Sequence, residues 1–397
     1  MSEARRDDGL VRALLALIGG QIALHACMTG IRLAAPLAAL REGHAAWSVG
    51  VLLGLFAAAP IVLALPAGRL ADRHGYHLPI RVAVALTASG GIVAVVATVL
   101  PWGAFAALCV AATLAGAGAN VGLIVIQRAA GRMATDPTTL KQVFSWLGLA
   151  PALANVVGPV IAGTLIDLGG FQTAFLALAA LPLASLAVAR FVPPERHPAA
   201  APSAHRQSSW NLLREPGFAR LLLVNWLLSS SWDVHSFLVP ILGHERGFSA
   251  SAIGLILGVF ATAVAVVRLA IPLIAHRLRE AQVLVVSMLV CAAVFAVYPL
   301  ARSSWVMGCC AVVLGLALGA VQPMVMTTLH QITPVARHGE AIALRSMAIN
   351  FSSATMPLAF GVAGATLGAS AVFWLMAAAV ASGSLAARQV GATTTAA

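Results

Sequence analysis

The feature that most constrains the fold of this chain is a series of apolar runs, each long enough to cross a lipid bilayer. A membrane-spanning helix needs about 20 predominantly apolar residues. Twelve such runs follow one another, at 12–40, 47–67, 79–100, 103–127, 142–166, 171–192, 217–242, 251–275, 281–300, 304–329, 340–366 and 370–387. We therefore predict an all-α integral membrane protein with twelve transmembrane helices, and we number the predicted spans in this order.

The composition excludes a soluble globular protein. Hydrophobic residues make up 60% of the 397 residues and charged residues only 9%, whereas a soluble domain is about 25% charged. The net charge of +11 does not indicate nucleic-acid binding, because the basic residues lie between apolar runs and form no contiguous basic arm. The five cysteines all fall inside apolar runs without metal-ligand spacing, so neither disulfides nor a metal site are predicted.

The basic residues predict the orientation of the chain in the membrane, because cytoplasmic loops carry an excess of lysine and arginine. The opposite loops hold only Arg41, Arg246 and Arg302. The termini and the loops after even-numbered spans hold Arg5, Arg6, Arg12, Arg69, Arg73, Arg81, Arg128, Arg132, Lys141, Arg190, Arg196, Arg206, Arg214, Arg220, Arg277, Arg279, Arg337 and Arg388. We predict that both termini and the middle loop are cytoplasmic, in a bacterial-type inner (plasma) membrane.

One long polar segment divides the twelve spans into six and six. Residues 193–216 contain five prolines, several serines and the charged pair Glu195 and Arg196. We predict a six-helix bundle over 1–192, a cytoplasmic linker over 193–216 and a second six-helix bundle over 217–397.

The two halves repeat each other in sequence. With a shift of 204 residues, 36–73 aligns without a gap on 240–277, and 13 of the 38 positions are identical, among them Pro, Gly, Phe and Arg positions. A shift of 198 aligns Gly158 and Pro159 with Met356 and Pro357. Two halves of the same topology, related by an axis along the membrane normal, are typical of secondary transporters.

The loop after the second span carries the most specific motif, in the segment PAGRLADRHGYH. Its pattern is G-x-L-a-D-R-x-G, filled by Gly68, Leu70, Ala71, Asp72, Arg73 and Gly75. Together with the helix count, this motif makes the chain resemble the major facilitator superfamily over its whole length. Tyr76 and His77 depart from the two basic residues that usually follow.

The resemblance implies a function for this loop. Asp72 and Arg73 are expected to lock the cytoplasmic side between the two halves in one conformation. In the second half, His276 stands where the aspartate would be, so that copy of the lock is degenerate.

A second resemblance concerns the fifth span, where exporters of the superfamily carry G-x-x-x-G-P-x-x-G-G. This chain has Ala154, Gly158, Pro159, Ala162 and Gly163 at those places. The motif favours efflux over uptake, although small residues and a proline also serve ordinary close helix packing. The fourth span lacks the arginine that precedes a Q-G-x-G segment in many proton-coupled members, since 112–118 reads ATLAGAG. This argues against proton coupling by the usual route.

Two charged residues inside spans are the sharpest site candidates, because a charged group at mid-membrane costs about 2.5–3.5 kcal/mol on insertion scales. Arg32 lies in the outer half of the first span, and Asp233 lies in the seventh. One hypothesis pairs them across a central cavity in one state of transport. The alternatives are that Arg32 extends to the outer headgroups and that Asp233 lies at a helix end or in a static pair.

Further polar and aromatic residues within the spans are candidates for the cavity or for coupling. His25 shares a helix face with Arg32 and either titrates or packs as a hydrogen-bonded side chain. Trp226 and Trp232 either stack on a ligand or mark the membrane interface. The remaining candidates are Asn120 in the fourth span and Gln322 and His330 in the tenth.

These observations predict a secondary active transporter that moves small molecules by alternating access. The resemblance implies a central site lined by spans 1, 4, 7 and 10. We predict an efflux permease with proton antiport, acting as a monomer in the bilayer on a small-molecule substrate. Uptake or facilitated transport of a small organic anion and a membrane sensor remain as alternatives. No enzyme, cofactor or ATP site is predicted, since the ionisable groups are scattered and no G-x-x-x-x-G-K-[ST] sequence occurs.

Overall fold

The structure is a computed structural model that describes residues 2–44, 46–100, 102–134, 136–194, 208–248 and 250–394. Over these residues it is helical and contains no strand. The α-helices are α1 (Ser2–Arg41), α2 (Ala46–His74), α3 (His77–Ala97), α4 (Ala104–Met133), α5 (Pro137–Leu147), α6 (Leu149–Ala189), α7 (Pro216–Glu245), α8 (Ala250–Ile274), α9 (Glu280–Val297), α10 (Ser304–Gly319), α11 (Val321–Ile332), α12 (His338–Leu367) and α13 (Ala369–Thr394).

The helices confirm the predicted membrane architecture. Among the described residues, nine helical stretches are long and apolar enough to cross a bilayer. One of them, 137–189, has 53 residues and suffices for two crossings at about 20 residues each. The two remaining long helices, α7 and α12, have 30 residues each. The chain therefore has the twelve-span arrangement.

The helices are interrupted at three places, two of which fall inside predicted spans. Gly148 separates α5 from α6, so the fifth span starts as a short separate helix. Gly170 has φ +78°, a left-handed conformation that glycine adopts without strain, and it divides α6 into two crossings. Ala320 separates α10 from α11. Pro323, in the first turn of α11, lacks the N–H that a continuous helix would require.

The chain forms two compact units, and each unit includes a short segment from the other half of the sequence. The first unit comprises Met1–Met133, Leu147–Ser209 and Ala336–Asn350, and the second comprises Ala134–Trp146, Trp210–Val335 and Phe351–Ala397. The start of α12 thus belongs to the first unit, whereas α5 belongs to the second. The bundle boundaries predicted at 192 and 217 stay a prediction.

Small residues set the packing inside the first unit. α1 packs along α6, and α3 packs against α4. The core between these helices combines alanines with a few larger side chains, among them Ile31, Phe56, Phe175 and Leu178. Without a hydrophobic driving force between helices in lipid, such close contacts favour association through van der Waals packing.

Two basic residues that the sequence analysis assigned to loops are buried inside helices. Arg128 is in α4 with 2% of its surface exposed, and Lys141 is in α5 with 5% exposed. Counting cations near span ends does not distinguish exposed loop residues from buried ones. Both residues have specific acidic partners, which are described below.

Candidate functional site

The loop-motif aspartate lies at the start of α12. The backbone N–H of Gly339 donates to Oδ1 of Asp72 at 2.9 Å, and the N–H of Glu340 donates to Oδ2 at 3.0 Å. These are two of the first N–H groups of the helix, which have no partner within it. The carboxylate therefore caps α12 and also faces the positive end of its dipole.

Arg128 holds the same carboxylate from α4. Its Nε donates to Asp72 Oδ1 at 2.7 Å, and the side chains are 2% and 8% exposed. A buried pair of this kind is costly to break, because the remaining charge would stay uncompensated. We call Asp72, Arg128, Gly339 and Glu340 the Asp72 cluster; all four residues belong to the first compact unit.

Gly68 permits the approach of α2 to α12. A Cβ atom on Gly68 would lie 2.3 Å from the carbonyl oxygen of Gly339, and a Cβ on Gly339 would lie 2.4 Å from the carbonyl oxygen of Gly68. Both distances are too short for any side chain. The glycine that opens the loop motif is therefore required for the capping contact.

The rest of the motif has separate tasks. Gly75 ends α2 with φ +66°, a conformation suited to glycine. Tyr76, which replaces a usual basic residue, is buried at 1% exposure, and burial raises the pKa of its phenol. Arg73 is exposed, and no hydrogen bond or ion pair of its side chain is found within the described part of the chain. Arg69, the other arginine of this segment, forms an ion pair with Glu340, with its Nε 3.3 Å from Oε1.

The fifth-span motif packs α6 directly on α1, but only in part. A Cβ on Gly158 would lie 2.2 Å from Thr29 Oγ1 and 2.3 Å from the carbonyl oxygen of Ala26. A Cβ on Gly163 would meet nothing within 4 Å. Pro159 lies inside α6 beside this contact. Of the two motif glycines, Gly158 makes the close approach.

We expect Gly158→Ala and Gly163→Ala to change stability in opposite directions. The first overpacks the α1–α6 contact, which costs about 1–3 kcal/mol. The second adds no contact and improves helix propensity by up to about 1 kcal/mol. Thermal unfolding of the purified variants measures both. Equal shifts of the two variants would contradict the packing assignment.

Asp233 is surrounded by hydroxyl groups within the second unit. The hydroxyls of Ser352 and Ser353 in α12 donate hydrogen bonds to its carboxylate. Ser352 also lies 3.0 Å from the hydroxyl of Ser230, one turn before Asp233 on α7. The Oδ2 atom of Asp233 is buried, with no hydrogen-bond partner among the described residues. The carboxylate can therefore still accept a proton or a cationic group.

Arg32 and His25 lie together on α1 in the first unit. The positive charge of Arg32 acts on the imidazole of His25, as the shared helix face predicts. The Arg32 side chain is exposed, and no ion pair is found for it in the described ranges. The predicted pairing of Arg32 with Asp233 stays a prediction, since the two residues belong to different compact units.

Asn120 belongs to a polar cluster between α4 and α12. The hydroxyl of Ser346 donates to its Oδ1 at 2.7 Å, and Asn350 Nδ2 approaches the same oxygen at 3.5 Å. Asn120 is 7% exposed. Its place as a cavity residue stays a prediction.

The other predicted cavity residues have separate surroundings in the second unit. Gln322 accepts a hydrogen bond from Arg268 at 3.2 Å. His330 is buried, with Nδ1 2.9 Å from the carbonyl oxygen of Met326. Trp232 is 36% exposed with its ring edge-on to Phe260, while Trp226 is half-buried. The structure does not bring these residues together into one cluster.

The sequence analysis missed three charged residues that make specific buried contacts. Arg128 and Lys141 were counted with the loops, and Arg268, 9% exposed in α8, was not singled out. The available signal for Arg268 was a lone arginine inside an apolar run. For Arg128 it was the neighbouring Asn120 and Gln127, which mark a polar face of α4.

Comparison with known families and structures gives one family and one fold. The family model described as Major Facilitator Superfamily matches residues 17–312 and 221–390. The sequence matches none of the curated proteins with which it was compared.

Solved structures resemble the chain over nearly its whole length. A bacterial homologue of the iron transporter ferroportin in an outward-facing state superposes with a TM-score of 0.76 at 17% identity, covering 97% of this chain and 100% of that one. The human organic anion transporter MFSD10 gives 0.76 at 16% identity, with coverages of 95% and 99%. The E. coli fucose:proton symporter FucP gives 0.73 at 15% identity, with coverages of 96% and 98%. At these identities the likeness concerns the fold.

Proposed function

Because the chain belongs to the Major Facilitator Superfamily, we propose that it is a secondary active exporter of small amphipathic molecules with proton antiport. The halves 1–192 and 217–397 rock about a central site, with both termini on the cytoplasmic side of a bacterial-type inner membrane. The arginine distribution supports this orientation. A single chain contains the whole pathway.

The surroundings of Asp233 carry the proposal of proton coupling. A carboxylate inside a spanning helix is costly and therefore indicates function. Its partners are neutral hydroxyls, and one oxygen is left for a further proton or cation. Protonation would remove the charge, and a cationic substrate would replace the proton. One carboxylate that holds either species links proton entry to substrate exit.

The Asp72 cluster supports alternating access. It ties helices α2 and α4 of the first sequence half to the start of α12 in the second half. Such a contact must break when the cytoplasmic side opens. It can therefore stabilise the state closed on that side.

The packing of Gly158 supports the export direction. Its close contact with α1 corresponds to the motif that exporters of the superfamily carry in their fifth span. Export of amphipathic molecules also agrees with the exposed indole of Trp232, which precedes Asp233 on α7 and packs edge-on against Phe260.

We expect Asp233→Asn to abolish proton-coupled transport, because asparagine neither binds nor releases a proton. The measurement uses inside-out vesicles with an acidic lumen, a pH-reporting dye and a panel of lipophilic cations, neutral amphipaths and organic anions. Wild-type protein should show a compound-dependent proton leak that Asp233→Asn lacks. Asp167→Asn, an exposed aspartate on α6, is the matched control and should retain the leak. A leak that survives in Asp233→Asn would sink the coupling role.

Transport of a small organic anion is the second candidate. Arg32 supports it, as an exposed cation on α1 for which no ion pair is found among the described residues. Accumulation of labelled anions driven by their own gradient alone, without a proton leak, would favour this candidate. Arg32→Gln should then abolish the accumulation, and Arg41→Gln should not.

A further inference from the structure

The second copy of the loop motif lacks its acidic residue, yet the corresponding turn is held by hydrogen bonds from another helix. The shift of 204 places His276 on Asp72 and Pro272 on Gly68. His276 is exposed. The turn that follows α8 is held instead by the short helix α5, which belongs to the same compact unit.

Lys141 makes the central contact. Its ammonium group donates to the carbonyl oxygens of Ala275, at 3.3 Å, and Leu278, and lies 3.1 Å from Oε1 of Glu280. It is 5% exposed. The neighbouring Gln142 donates from Nε2 to the carbonyl oxygen of Pro272 at 3.0 Å. A buried ammonium with three oxygen partners is fully satisfied.

The repeat makes this contact the counterpart of the Asp72 cluster. The shift of 198 places Lys141 and Gln142 on Gly339 and Glu340, the two residues whose N–H groups bind Asp72. In both copies the two aligned positions donate hydrogen bonds to the segment around the end of α2 or α8. The donors are backbone N–H groups in the first copy and the side chains of Lys141 and Gln142 in the second. The location of the charge differs as well. The first copy uses an anion on the accepting side, and the second uses a cation on the donating side.

The capping of the two helices explains why the charge lies on opposite sides of the contact in the two copies. Helix α5 has its own acceptor, because Asp136 Oδ1 accepts the N–H groups of Thr138 and Thr139 at 2.8 and 3.0 Å. Helix α12 is preceded by Arg337, whose side chain only donates. An external carboxylate is thus needed for α12 but would find no free N–H on α5. The α8 turn instead leaves backbone carbonyls, which a cation satisfies.

We propose that Lys141, with the carbonyls of Ala275 and Leu278 and with Glu280, forms a second latch that opens and closes together with the Asp72 cluster. This inference rests on the proposed alternating access. Each contact joins a helix of one sequence half to a helix of the other, so rocking of the halves must break both at once. The degenerate copy of the motif is therefore replaced in function by α5.

Amide hydrogen exchange of the full chain in lipid nanodiscs tests the second latch, because exchange reports local opening. Lys141→Met should raise exchange in 275–280 and 138–145 at least about tenfold, the usual effect of losing hydrogen bonds to a charged group. The amides of Gly339 and Glu340, in the other compact unit, should accelerate as well. Lys141→Arg keeps the charge and should remain close to wild type.

Glu280→Gln serves as a milder variant, because it leaves the ammonium bound to the two carbonyls. It should raise exchange in the same segments by a smaller factor. Unchanged exchange in both variants overturns the proposal. Acceleration confined to 275–280 and 138–145, with Gly339 and Glu340 unaffected, also overturns it, since a fixed support would behave in this way. The amide exchange of these variants does not depend on transport, so the vesicle assay on Asp233 tests the proposed function separately.

Discussion

Replacing Arg128 with methionine is expected to destabilise the protein by about 3–5 kcal/mol, because the substitution leaves the Asp72 carboxylate buried without its cation. The side chains of the pair are 2% and 8% exposed, so water cannot substitute for the lost partner. Asp72→Asn should cost a similar amount, since the buried guanidinium then loses the carboxylate that balances its charge. Asparagine retains a side-chain oxygen that can still cap α12.

The double variant Arg128→Met/Asp72→Asn separates the pair from its surroundings. It removes both charges, and we expect it to be more stable than either single variant. Chemical denaturation of the four proteins in detergent micelles completes the double-mutant cycle. Arg73→Met, an exposed arginine next to Asp72, is the control and should stay within about 0.5 kcal/mol of wild type. Additive costs of the two single changes would show that the ion pair is not the source of the loss.

The membrane fold was predictable because lipid imposes simple requirements on a sequence. A bilayer demands apolar runs of one length and helical hydrogen bonding within each run, so the twelve spans could be counted. The breaks at Gly148 and Ala320 were not predicted, since a short interruption within an apolar run changes neither its length nor its composition. The exact helix ends depend on local backbone geometry.

The candidate site was predictable only where a motif marked it. The loop motif singled out Asp72 and Gly68, and the structure gives both a role at the start of α12. The motif placed Arg73 beside Asp72 in the expected lock but gave no sign of Arg128, which forms the ion pair with Asp72. Which arginine meets the carboxylate depends on the packing of α2 and α4, and spacing along one helix carries no information on that packing.

The surroundings of Asp233 show the same limit. The sequence identified a carboxylate in the seventh span, but its nearest partners are serines of α12. Serine is common in membrane helices and has no distinctive pattern, so nothing in the sequence selects Ser352 among its neighbours. Partners on distant helices become visible only when tertiary packing is known.

Replacing Gly68 with alanine is expected to separate α2 from α12 and to release the Asp72 cluster. The added Cβ would lie 2.3 Å from the carbonyl oxygen of Gly339 and 2.8 Å from the Cβ of Ala343, and a backbone atom cannot yield as a flexible side chain does. The overpacking costs about 1–3 kcal/mol. The N–H groups of Gly339 and Glu340 would then lose their carboxylate, and their amide exchange should rise at least about tenfold.

Gly54→Ala provides the matched control on the same helix. A Cβ at Gly54 meets nothing within 4 Å, so this variant should gain up to about 1 kcal/mol from helix propensity. The two alanine substitutions therefore differ in sign although their chemistry is identical. If the Asp72 cluster holds the state closed on the cytoplasmic side, Gly68→Ala should also slow compound-dependent proton movement in the vesicle assay, and Gly54→Ala should not. Wild-type exchange at Gly339 in Gly68→Ala would mean that the helix start is held by something other than the close approach of the two glycines.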